Sequence, residues 1–426
     1  MEFSERLFVE HLKLTRRYFL KYGALSGAVF ALPGLGGSSS GGGPGQESDR
    51  AGVDALADAV TALEYLTRPE DFGTVERGDP LPYKHPREKR LAVGLERETW
   101  KLEVVPDPET DAEVEQPLSK VLGTAFDFAS LMKLAETRAV RYLKIMTCLN
   151  MGSPLGTGLW EGVPLRDIIW RAKPVRNIRR VYYYGYHNDD PEQRFQSSLP
   201  IGRVLEDPPG EYPVLVCYKL NGKWLSGKRG GPVRILVPEA YGFKSIKWLQ
   251  RVVLTNRFNA NDTYERGNND VDTPMKTFAR FLFYPKKTKA DVALPITGLV
   301  QIGMSGFRKV QYWLQPEGEK WPPEDPYFTG ASWRDAQLLP PPASWGSDLG
   351  NKLSGVSRFG DNGRPSHWPL RYSKAHWAAL VPGVPAGTYW LRCRTVDGRG
   401  VAQPMPRPFA KSGRNAIHRV KVVVET

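Results

Sequence analysis

Residues 230–249 read GGPVRILVPEAYGFKSIKWL, a stretch in which glycines and basic residues surround a short apolar run at 235–237. The basic residues include Arg229, just before the stretch, and Arg234 and Lys247 within it. Glycines let backbone amides approach an anion, and Arg and Lys donate charge-assisted hydrogen bonds to phosphate. The stretch therefore predicts a cradle for a phosphorylated ligand, with an edge strand and a solvated basic rim as the alternative.

A cysteine lies upstream of this cradle. A strand predicted over 142–148 ends at Cys148, which opens the loop CLNMGSP. A thiolate at a strand end can serve as a nucleophile or as a soft-metal ligand, whereas a structural thiol is the simpler alternative. The other two cysteines, Cys217 and Cys393, lie in strand-like runs and are predicted to be small buried hydrophobes.

The composition of the 426 residues limits the classes of partner. The net charge of +13 favours anionic partners, yet no zinc finger, aromatic RNA-binding motif or dense basic block indicates nucleic acid. Three widely spaced cysteines form neither a disulfide framework nor a CxxC pair. With no CxxCH, iron–sulfur or nucleotide motif, we expect no haem, no Fe–S cluster and no nucleotide cofactor.

The N-terminus resembles an export signal. Residues 15–21 read TRRYFLK and match the twin-arginine motif, and a weakly apolar run of about a dozen residues follows, shorter than the roughly 20 that a bilayer span needs. The segment 34–46 is a flexible linker by composition. We therefore expect residues 1–47 to be signal and linker, the protein to be periplasmic or exported, and a membrane tether to remain if the signal is not cleaved; an amphipathic N-terminal helix is the alternative.

Two domains are predicted beyond residue 47. Residues 48–288 mix short helices and strands, and Asn221-Gly222 between apolar runs indicates a β-hairpin. A basic, Pro-bounded segment precedes residues 289–426, where short alternating strands at hairpin spacing predict a small antiparallel β-sandwich. The stretch 321–368 within it is predicted to be rich in loops.

These motifs resemble the sulfite oxidase family of molybdopterin enzymes, in the order in which that family carries them. Cys148 is followed by WEGVPLRD at 160–167, and Asn221-Gly222 precedes the stretch at 230–249. The pattern from Gly387 to Pro404 completes the match over roughly residues 60–426. The resemblance implies an α+β fold: a mixed α/β molybdopterin-binding domain followed by an immunoglobulin-like β-sandwich of the dimerisation type.

The resemblance also implies roles for the matching residues. Cys148 matches the cysteine whose thiolate ligates molybdenum beside the pterin dithiolene, as a soft sulfur donor suits this metal. Arg234 and Lys247 match the basic residues that hold the pterin phosphate and ring. Ser245 and Ile246 match the intervening stretch that offers backbone contacts.

Four further residues complete the candidate site. Arg229 stands where the family has His or Asn, facing the pterin, and is a catalytic candidate beside Cys148. Asp71 and Phe72 fall where the family's early loop passes over the pterin. His187, which follows a predicted strand in YYYGYHNDD, is either a pocket residue or a turn histidine at the surface.

The early loop departs from the sulfite-oxidising members. They carry Arg-Asn-His before Leu-Pro-Val-Pro, whereas this chain has Glu76-Arg77-Gly78 before Asp-Pro-Leu-Pro. A sulfite site needs cations to neutralise a dianion beside the metal. Arg77, Arg203 and Arg229 are the candidates for that charge.

The sequence thus predicts a periplasmic molybdenum-dependent oxidoreductase that transfers oxygen atoms, with oxidation of sulfite or a related sulfur compound as the first hypothesis. Reduction of an S-oxide, of the methionine sulfoxide type, is the second, and an inactive binding or scaffold homologue is the third. The expected partners are a small anionic or sulfur-containing substrate and a separate redox protein, such as a c-type cytochrome or a membrane quinol enzyme. A homodimer is a further possibility that the sequence leaves open.

Overall fold

The structure is a computed structural model that describes residues 44–405 and 412–426. The predicted twin-arginine motif and apolar run lie outside the described residues. Within the two described ranges, no helix combines the length and the apolar character required to cross a bilayer.

The described chain up to Thr255 carries twelve strands and all five α-helices of the described residues. The helices are α1 (Pro44–Thr61), α2 (Arg87–Ala92), α3 (Phe128–Arg138), α4 (Leu165–Ile169) and α5 (Ile201–Leu205). Single 3-10 turns lie at Pro82–Lys84, Trp170–Ala172, Pro191–Gln193, Gly227–Arg229, Gly242–Lys244 and Glu265–Gly267. The strands are β1 (Lys101–Pro106), β2 (Glu113–Val114), β3 (Phe126–Asp127), β4 (Val140–Thr147), β5 (Pro154–Pro164), β6 (Pro174–Arg176), β7 (Arg180–Gly185), β8 (Gln196–Pro200), β9 (Leu215–Leu220), β10 (Lys223–Trp224), β11 (Arg234–Leu236) and β12 (Leu249–Thr255).

These strands form two main sheets with a core between them. One sheet has the order β3-β1-β12-β7-β8, with β1 and β12 parallel and the other pairs antiparallel. The other has the order β10-β9-β5-β4, with β11 paired to β9. Apolar side chains of both sheets, such as Leu102, Val163 and Val252, are fully buried in one cluster. The short strands β2 and β6 pair with each other.

Local sequence signals explain several of these elements. The Asp127 carboxylate accepts a hydrogen bond from the backbone N–H of Ser130 and so caps α3. Asn221 and Gly222 both have positive φ, at 50° and 75°, which is the backbone that a tight β-hairpin requires. The hairpin predicted at this position is confirmed as β9–β10.

The remaining eight strands form one curled sheet, called here the C-terminal sheet. Its order is β13-β15-β18-β17-β16-β19-β20-β14. The sheet curls so far that the backbone N–H of Phe281, on the edge strand, donates to Nδ1 of His418 in β20. The fold is therefore α+β, and the C-terminal part is consistent with the predicted immunoglobulin-like sandwich. The strands are β13 (Phe278–Phe283), β14 (Lys287–Lys289), β15 (Leu294–Gln301), β16 (Lys309–Pro316), β17 (Arg334–Leu338), β18 (Lys374–Val381), β19 (Gly387–Val396) and β20 (His418–Glu425).

Some elements differ from the sequence-based expectation. The C-terminal sheet takes in β13 and β14, which begin before the predicted boundary at residue 289. Helix α1 begins at Pro44, inside the predicted linker, and packs on β15 and β18. The loop-rich stretch 321–368 contains β17, and the Gly-rich stretch after Cys148 forms β5.

Candidate functional site

One cavity gathers eight of the nine residues singled out from the sequence. It holds about 770 Å³ of empty space, counted up to its opening to solvent. Its walls come from the ends of β4 and β7, the segment 72–77 and the loops on both sides of β11. The eight residues are Phe72, Cys148, His187, Arg229, Arg234, Ser245, Ile246 and Lys247.

Cys148 lies directly after β4, where the strand delivers it to the cavity wall. The residue is 9% exposed, and Met146 and Leu155 beside it provide an apolar surface. Cys217 and Cys393 are instead fully buried, and burial raises the pKa of both thiols. The prediction that these two are buried hydrophobes is confirmed, and Cys148 is the cysteine that borders open space.

The close approach of β7 to the stretch before β12 places His187 beside Lys247. A Cβ on Gly185 would lie 1.9 Å from the carbonyl oxygen of Lys247, so only glycine permits this contact. The backbone N–H of Tyr186 then donates to the carbonyl of Trp248 at 2.9 Å. Two segments that are distant in sequence therefore meet at one wall of the cavity.

Arg229 is buried and turned toward the segment 72–75. Its guanidinium donates to the carbonyl of Gly73 at 2.6 Å and to the carbonyl of Phe72, and it lies 4.8 Å from the Phe72 ring centroid. Burial lowers the pKa of Arg229. The solvated basic rim that was the alternative for this stretch is wrong, because Arg229 and Arg234 are both buried.

Arg234 links the backbone segments that form the cradle. Its guanidinium donates to the carbonyls of Arg229 and Ser245 and lies over the Trp160 ring at 5.5 Å. Burial lowers the pKa of Arg234 to about 10. Arg234 therefore ties together the two loops that flank β11, with its side chain at the cavity wall.

Lys247 is the third cation of the cavity. Its ammonium group donates to Oγ1 of Thr74 at 2.8 Å and to the carbonyl of Val75 at 3.2 Å. Burial, together with the nearby guanidiniums of Arg234 and Arg229, lowers the pKa of Lys247 to about 7. An anion placed beside Lys247 would favour its charged form.

Asp71 does not belong to the cavity, which corrects the expectation that it contacts a cofactor. Its carboxylate is exposed and pairs with the guanidinium of Arg68 at 2.8 Å. Phe72, the next residue, turns inward and packs edge-on against Trp160. Residues 72–75 of the early loop thus line the cavity, whereas Asp71 does not.

Arg77 adds a fourth cation to the lining of the cavity. Its guanidinium lies 4.2 Å from the Phe195 ring centroid and donates to the hydroxyl of Tyr264 at 2.8 Å. Burial raises the pKa of Tyr264, Arg77 opposes this shift, and the nearby Cys148 thiol adds to it. Arg77, Tyr264 and Cys148 therefore lie within electrostatic reach of one another.

His187 lines the same cavity. Its Nδ1 atom is buried without a hydrogen-bond partner among the described residues. Burial and the repulsion of Arg77 lower the pKa of His187, so the imidazole is neutral at pH 7. A neutral ring with an unsatisfied nitrogen suits contact with a small polar ligand.

Two other basic residues hold the structure together and do not line the cavity. Arg203, a candidate for substrate charge, pairs with Glu239 at 2.6 Å and with Asp207 at 3.0 Å. Lys244 forms a buried ion pair with Asp262 at 3.1 Å. This ion pair holds two loops together: the loop that contains Tyr264 and the loop that follows β11.

Sequence reasoning missed Phe195, Tyr264 and Thr74. Phe195 and Tyr264 lie far along the chain from the recognised motifs, and nothing local distinguishes them from core aromatics. Tyr264 has one indirect signal, since an Asx turn in which its N–H donates to Asp262 precedes it in NDTYERG.

The residues present fit a molybdopterin cofactor. None of the described residues that line the cavity is Asp or Glu, while four cations, Arg77, Arg229, Arg234 and Lys247, line it. Glycine backbones leave room, since a Cβ on Gly242 would approach Sδ of Met146 to 3.1 Å. A cationic cradle beside one thiol matches a ligand that combines a phosphate with a thiophilic metal. No group of three or more His, Cys, Asp or Glu side chains within the described ranges forms a metal site, so a chelating cofactor would supply the other ligands.

Comparison with protein families matches the central part of the chain. Residues 91–263 match the family described as oxidoreductase molybdopterin binding domain. The match contains Cys148 and the three cavity cations of the cradle, and it ends before the C-terminal sheet.

Curated relatives and a solved structure agree with that match. Mitochondrial sulfite oxidase of Drosophila melanogaster is 27% identical over 58% of this chain and 40% of its own length, and sulfite oxidase of Gallus gallus is 26% identical over 59% and 50%. Nitrate reductase (NADPH) of Pichia angusta is 31% identical over 32% of this chain and 14% of its own length. The chain thus spans half or less of each of these relatives. In fold, it resembles the sulfane dehydrogenase SoxCD from Paracoccus pantotrophus, with a TM-score of 0.54 and 16% identity over 79% of this chain and 80% of that chain.

Proposed function

Because residues 91–263 match the oxidoreductase molybdopterin binding domain and the relatives include sulfite oxidases, we propose that the chain is an exported molybdopterin oxidoreductase of the sulfite oxidase type that transfers an oxygen atom to or from a small sulfur compound. Oxidation of sulfite or a related sulfur anion is the first candidate reaction. Electrons pass to a separate acceptor, such as a c-type cytochrome or a membrane quinol enzyme. The relatives cover sulfite oxidases and nitrate reductases, so both sulfur and nitrogen oxyanions belong in the assay.

A single observation carries this proposal. Cys148 lies on the same cavity as Arg229, Arg234 and Lys247, although the cysteine and the cations are about 80 to 100 residues apart in sequence. A thiol packed in a core away from these cations would have no access to a cofactor that they hold. The placement supports a ligand whose phosphate lies at the cations and whose metal meets the sulfur.

Each residue then has a defined task. The bound cofactor supplies oxygen-atom transfer coupled to two-electron redox chemistry at molybdenum. Cys148 would hold the metal, and Arg229 and Lys247 would bind the phosphate and pterin. Met146 and Leu155 exclude water beside the thiol, which strengthens the electrostatic interactions within the site.

Arg77 and His187 are assigned to the substrate. The Arg77 guanidinium is pre-positioned by Phe195 and Tyr264, so little side-chain entropy is lost when it binds an anion. The neutral His187 ring offers a further polar contact without adding charge. The Arg77 guanidinium and the His187 imidazole together would orient an oxyanion toward Cys148.

The aromatic wall favours a second candidate, reduction of an S-oxide. Phe195 and Tyr264 provide apolar surface beside Arg77, which a methyl-bearing sulfoxide would contact. Arg77 would then bind the sulfoxide oxygen. This reaction uses the same cofactor and the same residues in the opposite direction.

The test begins with metal analysis of the full-length chain produced in a host that makes molybdopterin. We expect bound molybdenum and turnover with one of sulfite, thiosulfate, nitrate or methionine sulfoxide, in the presence of artificial electron donors or acceptors. Cys148→Ser should abolish turnover while Cys393→Ser, which makes the same change at a fully buried cysteine of the C-terminal sheet, should retain it. Absence of molybdenum from the wild type would instead support a scaffold protein, and full activity of Cys148→Ser would refute the proposed site.

A further inference from the structure

The segment 148–153, called here the cysteine loop, is held only weakly by its own sheet. The β4–β5 ladder is regular up to Met146 and then shifts register at Thr147. Within the loop, the backbone N–H of Met151 donates to the carbonyl of Cys148 at 3.2 Å, which closes a single turn. The ladder therefore does not determine where the Cys148 thiol points.

The C-terminal sheet contacts the cysteine loop on both sides of Cys148. Before it, the Thr147 hydroxyl donates to the Gln301 side-chain carbonyl, and both residues are fully buried. After it, the Arg280 guanidinium donates to the carbonyl of Gly152 at 3.1 Å. The backbone N–H of Arg414 donates to the carbonyl of Leu149 at 3.3 Å.

These contacts are themselves anchored. The Gln301 side-chain amide donates to the carbonyl of Lys276 at 2.8 Å, so both ends of this side chain are fixed. The buried Lys276 ammonium donates to the carbonyl of Gly413 at 3.0 Å, which secures the backbone beside Arg414. The groups of β13, β15 and the segment before β20 that contact the loop are thus held in place by hydrogen bonds within the C-terminal part of the chain.

We propose that the C-terminal sheet sets the position of the Cys148 thiol, with Gln301 and Arg280 as positioning residues. The inference rests on the proposed function, in which Cys148 is the metal ligand. It assigns to the second domain a role inside the active site of the first. Neither residue touches the cavity, so each acts only through the loop backbone.

The first test measures Cys148 directly in the full-length, cofactor-free chain. Iodoacetamide alkylation reports the opening of the loop, because the other two thiols are fully buried. Gln301→Met and Arg280→Met should each raise the Cys148 alkylation rate, by up to about tenfold for the loss of one ordinary hydrogen bond. Thr147→Val removes the Gln301 contact from the other side with little change in shape and should act like Gln301→Met.

Matched controls separate positioning from general loss of stability. Gln311→Met is the control for Gln301→Met, because it removes another buried glutamine of the same sheet. Arg419→Met is the control for Arg280→Met, because it removes another arginine of that sheet. Neither Gln311 nor Arg419 contacts the cysteine loop. Both controls should alkylate at the wild-type rate. Arg280→Lys keeps a donor for the carbonyl of Gly152 and should restore slow alkylation.

The second test uses the holoenzyme. The electron paramagnetic resonance spectrum of the partly reduced metal centre depends on the metal–thiolate geometry, so Gln301→Met and Arg280→Met should shift it and the controls should not. Wild-type alkylation rates and spectra in all three loop variants would overturn the inference. If the wild type bound no molybdenum, the proposed function would fail, whereas the alkylation rates would still decide whether the sheet positions the thiol.

Discussion

Three of the four cations that line the cavity, Arg229, Arg234 and Lys247, are removed from water with no carboxylate in the lining beside them, which carries a cost that a ligand can offset. Burial lowers the pKa of Arg229, Arg234 and Lys247, which means that the folded, ligand-free protein disfavours their charged forms. Lys247 responds most at physiological pH, since its pKa falls to about 7. A phosphate at this position would restore the charge.

Lys247→Met tests this electrostatic strain in the cofactor-free protein. The folded state releases the Lys247 proton at about pH 7, whereas the unfolded chain keeps it up to about pH 10.5, so the unfolded state binds more protons between these values and stability rises with pH. The stability of the wild type relative to Lys247→Met should therefore increase by up to ~1.4 kcal/mol per pH unit in this window. Urea unfolding at several pH values measures the difference.

The exposed Lys228, on the neighbouring 3-10 turn, provides the control. Lys228→Met makes the same chemical change at an exposed position, and its difference in unfolding free energy from the wild type should change with pH much less than that of Lys247→Met. If the Lys247→Met difference were equally flat, the ammonium would not be strained. A saturating phosphorylated ligand should also flatten the wild-type dependence.

Arg77→Met tests the substrate assignment. A charged hydrogen bond to the substrate is typically worth ~1.5–3 kcal/mol, so KM for an anionic substrate should rise by about 10- to 100-fold. The change in kcat should be smaller, because Arg77 binds the substrate and does not hold the cofactor. Arg194→Met removes an exposed charge nearby and should leave KM unchanged; an unaltered KM in Arg77→Met would remove this residue from the substrate site.

At the scale of elements, strand β5 depends on glycines that admit neighbouring backbones. A Cβ on Gly162 would lie 2.6 Å from the carbonyl oxygen of Val216 and 2.8 Å from Cα of Cys217 on β9. A Cβ on Gly156 would enter the Phe72 ring at 2.7 Å. The same glycines therefore join β5 to β9 and bring the early loop onto the sheet.

Gly162→Ala should be strongly destabilising for this reason. The methyl group cannot fit without moving the β9 backbone, and overpacking of this kind costs about 1–3 kcal/mol or more. Equilibrium unfolding in urea provides the measurement. Gly318→Ala, at a position with no atom within 4 Å of the added methyl, should be nearly neutral; a comparable loss in both variants would show that glycine flexibility, and not the close approach, sets the cost.

The sheet that contains β5 and β9 shows where sequence reasoning succeeds and where it stops. The hairpin at Asn221-Gly222 was predictable because two adjacent residues that tolerate positive φ determine it locally. Strand β5 was missed because its glycines weaken every local strand signal, and their necessity appears only when β9 and Phe72 are in place. The meeting of Cys148 with the cations was implied by family resemblance, since no local pattern links residues so far apart. The inward turn of Phe72 beside the exposed Asp71 likewise depends on Trp160.

At the scale of the whole molecule, the two parts of the chain share a hydrophobic core. Leu143 on β4 and Leu159 on β5 are buried in one cluster with Trp345, Leu353 and Leu370, which belong to the connection between β17 and β18. The segment after α1 enters this core as well, because Tyr65 and Leu66 are also buried there. Strand β4 therefore leads from the shared core to Cys148.

A shared core predicts that both parts unfold together. Leu391→Ala creates a cavity within the C-terminal sheet, far from β4, and should cost ~2–5 kcal/mol. Because the shared core couples the parts, differential scanning calorimetry should show one transition that moves to lower temperature as a whole, and alkylation of Cys148 should accelerate over the same temperature range. Leu370→Ala, which removes a fully buried side chain from the shared core itself, should lower the same transition. If the two parts unfolded independently, Leu391→Ala would produce a new transition at lower temperature from the C-terminal sheet alone. A second transition and the onset of Cys148 alkylation would then remain at the wild-type temperature.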